Sequence, residues 1–171
     1  MAKVSVVGTT SWGTTLAVIM ARRGLDVHLW ARTPHEAAEL TGARQNARFV
    51  SGVNFPPGMQ VTASPREAFG DADVVIIAVP AQSFRDNIRA VGKNLKETAV
   101  VVSATKGLEL ASGKRMSQVL SEELPSSLCS RICALSGPNL AGEIVRQKPS
   151  STVVASSNLD AARLAQDHIN T

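Results

Sequence analysis

A chain of 171 residues, 44% hydrophobic and 19% charged, suits one soluble globular domain with a sizeable core. Tyr is absent and aromatics make up 4%, which excludes a base-stacking surface for single-stranded nucleic acid. The net charge of +4 is scattered, its densest cluster being Arg22-Arg23, so small anions and no nucleic acid are the expected partners. No signal peptide is expected before the first apolar run. No run approaches the roughly 20 residues of a membrane span, so a cytoplasmic protein is expected. Cys129 and Cys133, a lone pair at poor spacing for zinc, read as buried reduced thiols.

The predicted elements begin with a strand over Lys3–Val7, a turn at Gly8, and a helix from Thr14 to Arg23 opened by Gly13 and closed at Gly24. Strand, glycine turn and helix in this order start a dinucleotide-binding unit, whose usual pattern is G-x-G-x-x-G. Gly8 allows the tight turn and Gly13 allows close helix packing. Thr10 stands at the middle position, where a Cβ is expected to push the pyrophosphate outward or shift the loop. Thr10 and Ser11 bring hydroxyls in exchange, and the helix N-terminus offers free N–H groups to an anion. The second strand, Asp26–Trp30, points Val27 and Leu29 inward and runs into Ala31-Arg32-Thr33-Pro34. An acid after this strand accepts from a ribose 2′-hydroxyl, whereas an arginine pairs with a 2′-phosphate. Arg32 occupies the place and no acid does, which favours NADP (NADPH) or tolerance of NAD as well; a solvated arginine is the alternative.

Pro34 starts a helix at a first-turn position. A loop rich in turn residues from Ser51 to Gly58, a strand around Gln60–Ala63 and a short helix over Pro65–Phe69 follow. The uninterrupted apolar run Val74–Val79 reads as a central parallel strand buried on both faces. It ends at Pro80, and a helix over Ala81–Val91 comes next. Further strands are expected at Val100–Ser103, Ile132–Leu135 and Thr152–Ala155, with helices at Leu140–Arg146 and Leu159–Ile169. His28 and His35 lack metal-ligand partners at useful spacing.

This alternation defines an α/β fold: a doubly wound, Rossmann-type, mostly parallel sheet with helices on both faces. Ligands of such sheets bind beyond the carboxyl ends of the strands. That rule gathers Gly8–Gly13, Arg32, Pro80, Lys106 and Ser136–Asn139 on one rim. Lys106, after a buried strand and beside Gly107, reads as a phosphate anchor, a polariser of a carbonyl oxygen, or an exposed loop lysine. Gly137-Pro138-Asn139 opens a helix whose N–H groups suit an anion. Asn139 is expected to cap that helix, with a hydrogen bond to a substrate hydroxyl as the alternative.

The segments Gly8-Thr9-Thr10-Ser11-Trp12-Gly13-Thr14, Leu29-Trp30-Ala31-Arg32, Asn46-Ala47-Arg48-Phe49, Ala78-Val79-Pro80, Ser103-Ala104-Thr105-Lys106-Gly107-Leu108-Glu109 and Ser136-Gly137-Pro138-Asn139-Leu140-Ala141-Gly142-Glu143 resemble the bacterial NAD(P)-dependent glycerol-3-phosphate dehydrogenases. The likeness covers essentially the whole chain, and Thr10 stands where that family has its second glycine. The resemblance implies an NAD(P)-binding domain over residues 1–171. It implies contacts to the cofactor from Gly8, Thr10, Ser11, Trp12, Gly13, Arg32, Thr33, Phe49, Lys106 and Ala141. Lys106, Gly137 and Asn139 would contact sn-glycerol 3-phosphate, with Lys106 in an accessory catalytic role.

The resemblance further implies hydride exchange with dihydroxyacetone phosphate, which supplies glycerophospholipid synthesis, and a homodimer when full length. The main acid/base lysine would belong to a second, helical domain outside this chain, so the isolated chain is expected to be inactive. Rival readings are the cofactor domain of a ketopantoate or hydroxyacid reductase, for which Ser136-Gly137-Pro138-Asn139 suits less well, and a non-catalytic dinucleotide-binding module.

Overall fold

The computed structural model describes residues 2–170. The elements run β1 Lys3–Val7, α1 Ser11–Arg22, β2 Asp26–Trp30, α2 Pro34–Ala43, β3 Met59–Thr62, α3 Pro65–Phe69, β4 Val74–Ile77, α4 Phe84–Val91, β5 Val100–Ser103, α5 Met116–Glu123, α6 Ser126–Cys129, β6 Ile132–Ser136, α7 Ala141–Ile144, β7 Val153–Ser156 and α8 Leu159–Ile169. The strands form one sheet in the order β3-β2-β1-β4-β5-β6-β7. From β3 to β6 every pairing is parallel. This is the doubly wound order, and the chain reverses direction across the sheet between β1 and β4, where ligands of such sheets bind.

Alternation along the central strands supplies both halves of the core. Val4, Val6, Ile76 and Val102 face a layer with Leu16 and Met20 of α1 and Ala165 of α8. Val75, Ile77 and Val101 face the opposite layer with Phe69 of α3, Phe84 and Ile88 of α4 and Leu120 of α5. Val74 through Ile77 are wholly buried, which is what a continuous β-branched run with helices on both faces requires. Each such side chain contributes about 1.5–3 kcal/mol through burial.

Several boundaries differ from the sequence expectation. α1 begins at Ser11, three residues before the expected start, so Gly13 lies inside its first turn. The expected Ala81–Val91 helix divides into a 3-10 turn, Ala81–Ser83, and α4. β7 is antiparallel to β6. A parallel return needs a crossover of a dozen or more residues that passes the sheet. The Gly137–Thr152 connection instead stays at the carboxyl end of β6, carrying only the single turn of α7. α5 and α6 were not expected. Both cysteines are free thiols, but only Cys133 is buried; Cys129, on a four-residue surface helix, is partly exposed. No helix among the described residues is long and apolar enough to cross a membrane.

His28 gives the fold a pH dependence. It sits on β2 between Ser5 of β1 and Gln60 of β3. Its Nε2 lies 3.4 Å from Asp26 Oδ1, and its Nδ1 is buried without a hydrogen-bond partner among the described residues. Desolvation first, and then the Lys3 charge, push its pKa below the ordinary 6.5 despite the attraction of Asp26 and Glu67. The unfolded chain therefore takes up a proton that the folded chain resists, and stability falls as pH drops below that ordinary value. Thermal midpoints should decline between about pH 7 and pH 5, and a His28→Gln variant should flatten that decline. The paired carboxyls of Asp73, Glu122 and Glu123, whose pKa values are lowered, add their loss only at more acid pH.

Candidate functional site

The turn that closes β1 is built from two glycines held face to face. Gly8 adopts φ +112, and a Cβ there would meet the Ala78 carbonyl at 2.6 Å. A Cβ on Gly13 would stand 2.0 Å from the Gly8 carbonyl oxygen. Side chains at these positions would separate α1 from the carboxyl ends of β1 and β4. Thr10 lies between them. Its backbone, at φ −67 and ψ 170, is extended conformation open to any residue. Its hydroxyl donates to Ala78 O at 2.8 Å and accepts from Gly13 N–H at 3.1 Å. Thr10 is thus the N-cap of α1 and a tie from the glycine turn to the end of β4. This hydroxyl faces protein and is not available to a phosphate.

Ser11 and Trp12 N–H, in the first turn of α1, have no acceptor among the described residues. With the positive end of the helix dipole they form a place for an anion. Trp12 is half-buried against the core. Its indole and Asn139 share a cleft of about 690 Å³ that runs between α1, β7 and α8.

At the end of β2, Arg32 and Thr33 are exposed. Thr33 caps α2, its hydroxyl accepting from Glu36 N–H at 3.2 Å. The Arg32 side chain has no partner among the described residues, while its backbone N–H donates to Glu36 Oε2 at 3.2 Å. Glu36 Oε1 accepts from Thr9 Oγ1 at 2.5 Å. An acid therefore does stand at the end of the second strand, contrary to the sequence reading. It comes from the third position of α2, which turns back over the strand end. Asn46, buried, donates to Thr9 O at 2.8 Å and Thr14 Oγ1 at 2.9 Å. It fastens the glycine turn to the segment bearing Phe49, whose exposed ring lies 5.1 Å from the Arg48 guanidinium.

Lys106 and Gly137 come together: Lys106 Nζ donates to Gly137 O at 3.0 Å. The loop holding Lys106 is fixed from both sides. Thr105 Oγ1 donates to Val79 O at 2.8 Å and accepts from Val79 N–H at 3.2 Å. Gln82 Nε2 donates to Leu108 O at 2.9 Å, and Gln82 Oε1 accepts from Leu110 N–H at 3.0 Å. The Arg85 guanidinium forks onto both Glu109 oxygens at 2.8 Å, and it also pairs with Glu122 and Glu123. Hydrogen bonds from Arg85 and then Ser112 hold the Glu109 carboxyl down at about 2. Asn139 does not cap α7, which starts after Leu140 without a side-chain cap. Its Nδ2 donates to Thr152 Oγ1 at 3.0 Å and its Oδ1 accepts from Ser150 Oγ at 2.9 Å. Asn139 thereby braces the connection into β7. Ala141 O accepts from Thr15 Oγ1 at 3.4 Å, which links α7 to α1. Glu36, Gln82 and Arg85 carry no role in the sequence reading, and Asn46 enters it only within a matching segment, without a role of its own. No group of three potential metal ligands occurs among the described residues.

A doubly wound sheet with a two-glycine turn at its switch point, free helix N–H groups beyond it and strand-end cations on the same rim defines a dinucleotide-binding domain of the Rossmann type. Residues 3–162 match the family model described as the NAD-dependent glycerol-3-phosphate dehydrogenase N-terminus, and the chain belongs to that family. It is 46% identical to a glycerol-3-phosphate dehydrogenase [NAD(P)+] of Dehalococcoides mccartyi, over 96% of this chain and 46% of the relative. The corresponding protein of Chlorobium limicola is 40% identical, over 98% of this chain and 50% of the relative. The chain thus spans about half the length of the curated relatives it matches.

Among solved structures, a glycerol-3-phosphate dehydrogenase of Coxiella burnetii superposes with a TM-score of 0.90 at 24% identity, over 99% of this chain and 51% of that one. A ketopantoate reductase of Ralstonia eutropha reaches 0.60 at 19% identity, over 79% of this chain and 41% of that one. At such identities these likenesses speak to the fold, and the fold is nearer the first.

Proposed function

We propose that this chain is the nicotinamide-dinucleotide-binding half of an oxidoreductase that interconverts sn-glycerol 3-phosphate and dihydroxyacetone phosphate. The observation that carries the reading is the convergence on one rim of the Gly8–Gly13 turn and the Lys106–Gly137 pair, 3.0 Å apart. The names of the relatives supply the reaction. The two glycines let the turn close tightly at the start of α1, and the N–H groups of Ser11 and Trp12, which have no acceptor among the described residues, fit a pyrophosphate there. A bound dinucleotide supplies the hydride chemistry. The chain's own residues position and polarise. Lys106 holds an ammonium at the strand ends where a carbonyl oxygen gains negative charge. The double clamp of Gln82 and Arg85 fixes the loop that carries Lys106, and the Gly137 carbonyl accepts from its ammonium. Gly137, whose carbonyl oxygen accepts from Lys106, and Asn139, two residues on, are assigned to the substrate by the family resemblance.

The exposed Arg32 guanidinium at the end of β2, without a partner among the described residues, supports NADPH as the tighter ligand. Calorimetric titration of the chain with NADPH and with NADH tests both parts. Saturable binding of both is expected, with NADPH the stronger. Equal or reversed affinities would remove Arg32 from the assignment, and no binding of either would overturn the reading.

A further inference from the structure

We infer that Glu36 limits discrimination between a 2′-hydroxyl and a 2′-phosphate at the adenosine end of this site, an inference that rests on the dinucleotide reading above. One carboxylate bridges the two places that flank the adenosine ribose in a doubly wound fold, the glycine turn after β1 and the end of β2. Glu36 Oε1 accepts from the Thr9 hydroxyl at 2.5 Å and Oε2 accepts from Arg32 N–H at 3.2 Å. The side chain is half-buried and held at both oxygens, so it does not swing freely into solvent. The Thr9 hydroxyl is turned toward Glu36 and so does not face an incoming phosphate.

A carboxylate only accepts hydrogen bonds. It can take one from a ribose hydroxyl, as NAD offers, and it meets a 2′-phosphate with like charge. Arg32, beginning from the same strand end, draws the opposite way. Two unlike charges facing the ribose give a site that accepts both dinucleotides with a modest preference, where Arg32 alone would give a strong one. Specificity of this kind is set by the repulsive group as much as by the attractive one.

Glu36→Gln keeps the volume and removes the charge. Calorimetric titration of the whole chain with NADPH and NADH is expected to show NADPH binding roughly tenfold tighter than in the parent, the scale of one like-charge contact on a partly exposed rim. NADH should hold its affinity or lose some. Thr9→Val, which removes the donor that holds the carboxylate, should move the ratio of the two affinities in the same direction by less. A ratio that stays at the parent value in both variants overturns the inference, as does an equal loss of both ligands, which is what a purely structural role would give. Failure of the parent chain to bind either dinucleotide would instead overturn the reading beneath it.

Discussion

A Gly13→Ala variant loses dinucleotide binding and about 3 kcal/mol or more of folding stability. Overpacking a core costs about 1–3 kcal/mol when neighbouring side chains can rearrange. Here the obstacle is backbone: the new methyl would stand 2.0 Å from the Gly8 carbonyl oxygen and 3.1 Å from its carbon. Gly8 has little room to retreat at its φ of +112, since Ala78 O and Val79 Cγ1 lie only 2.6 and 2.8 Å from where a Cβ on it would stand. Relief requires α1 to lift away from the sheet, which exposes Leu16 and Met20 and moves the Ser11 and Trp12 N–H groups off the rim. Gly42 of α2 is the matched control, with nothing within 4 Å of an added Cβ. Gly42→Ala should leave stability unchanged or raise it by about 0.5–1 kcal/mol. Urea denaturation and calorimetry on the two variants check the contrast. A Gly13→Ala protein with the parent's midpoint and affinity would contradict it.

Asn46→Ala should cost about 2 kcal/mol and weaken dinucleotide binding roughly tenfold. The buried amide donates to Thr9 O and Thr14 Oγ1, at 2.8 and 2.9 Å. Truncation leaves a carbonyl in the glycine turn without its donor, and the turn loses the strut that ties it to the 45–50 segment. Asn46→Asp should be at least as damaging, since it places a carboxylate against the Thr9 carbonyl. Denaturation separates the stability loss, and titration of the folded variant reads the loss of preorganisation. Destabilisation with parental affinity would show that the turn keeps its shape unaided.

Much of this architecture is legible because local patterning and global packing agree. The β-branched runs at Val74–Ile77 and Val100–Ser103 sit in the middle of the sheet. Pro34 and Pro65 mark helix starts because each is preceded by a hydroxyl N-cap, Thr33 or Ser64. Gly8 and Gly13 stand out because only their spacing brings the two backbones into contact. α5 was overlooked because it lacks a side-chain signal of that kind: Arg115 precedes it, and its buried face is only Met116, Val119 and Leu120. The antiparallel β7 depends on the path of a loop, and no periodicity encodes a path.

The site follows the same division. Lys106 and Gly137, each just past a buried strand, could be placed on one rim by topology alone. The capping role of Thr10 depends on where its hydroxyl points, and that depends on Ala78, 68 residues away. Glu36 hides inside an ordinary helix-start pattern, acidic in the first turn, and only tertiary packing reveals its contact with the Thr9 hydroxyl. Asn46 and Asn139 look alike as loop asparagines. One is a buried strut and the other a surface brace, and tertiary packing alone separates them.

Placement of a nicotinamide dinucleotide on the rim over the β1–β4 switch point is tested most directly by following the backbone amide resonances of the chain as NADPH is added. The expected result is saturable shifts concentrated at Gly8–Gly13, Arg32, Lys106–Gly107 and Gly137, with α5 and α6 on the far layer unchanged. Shifts confined to other surfaces, or none at saturating nucleotide, would contradict it.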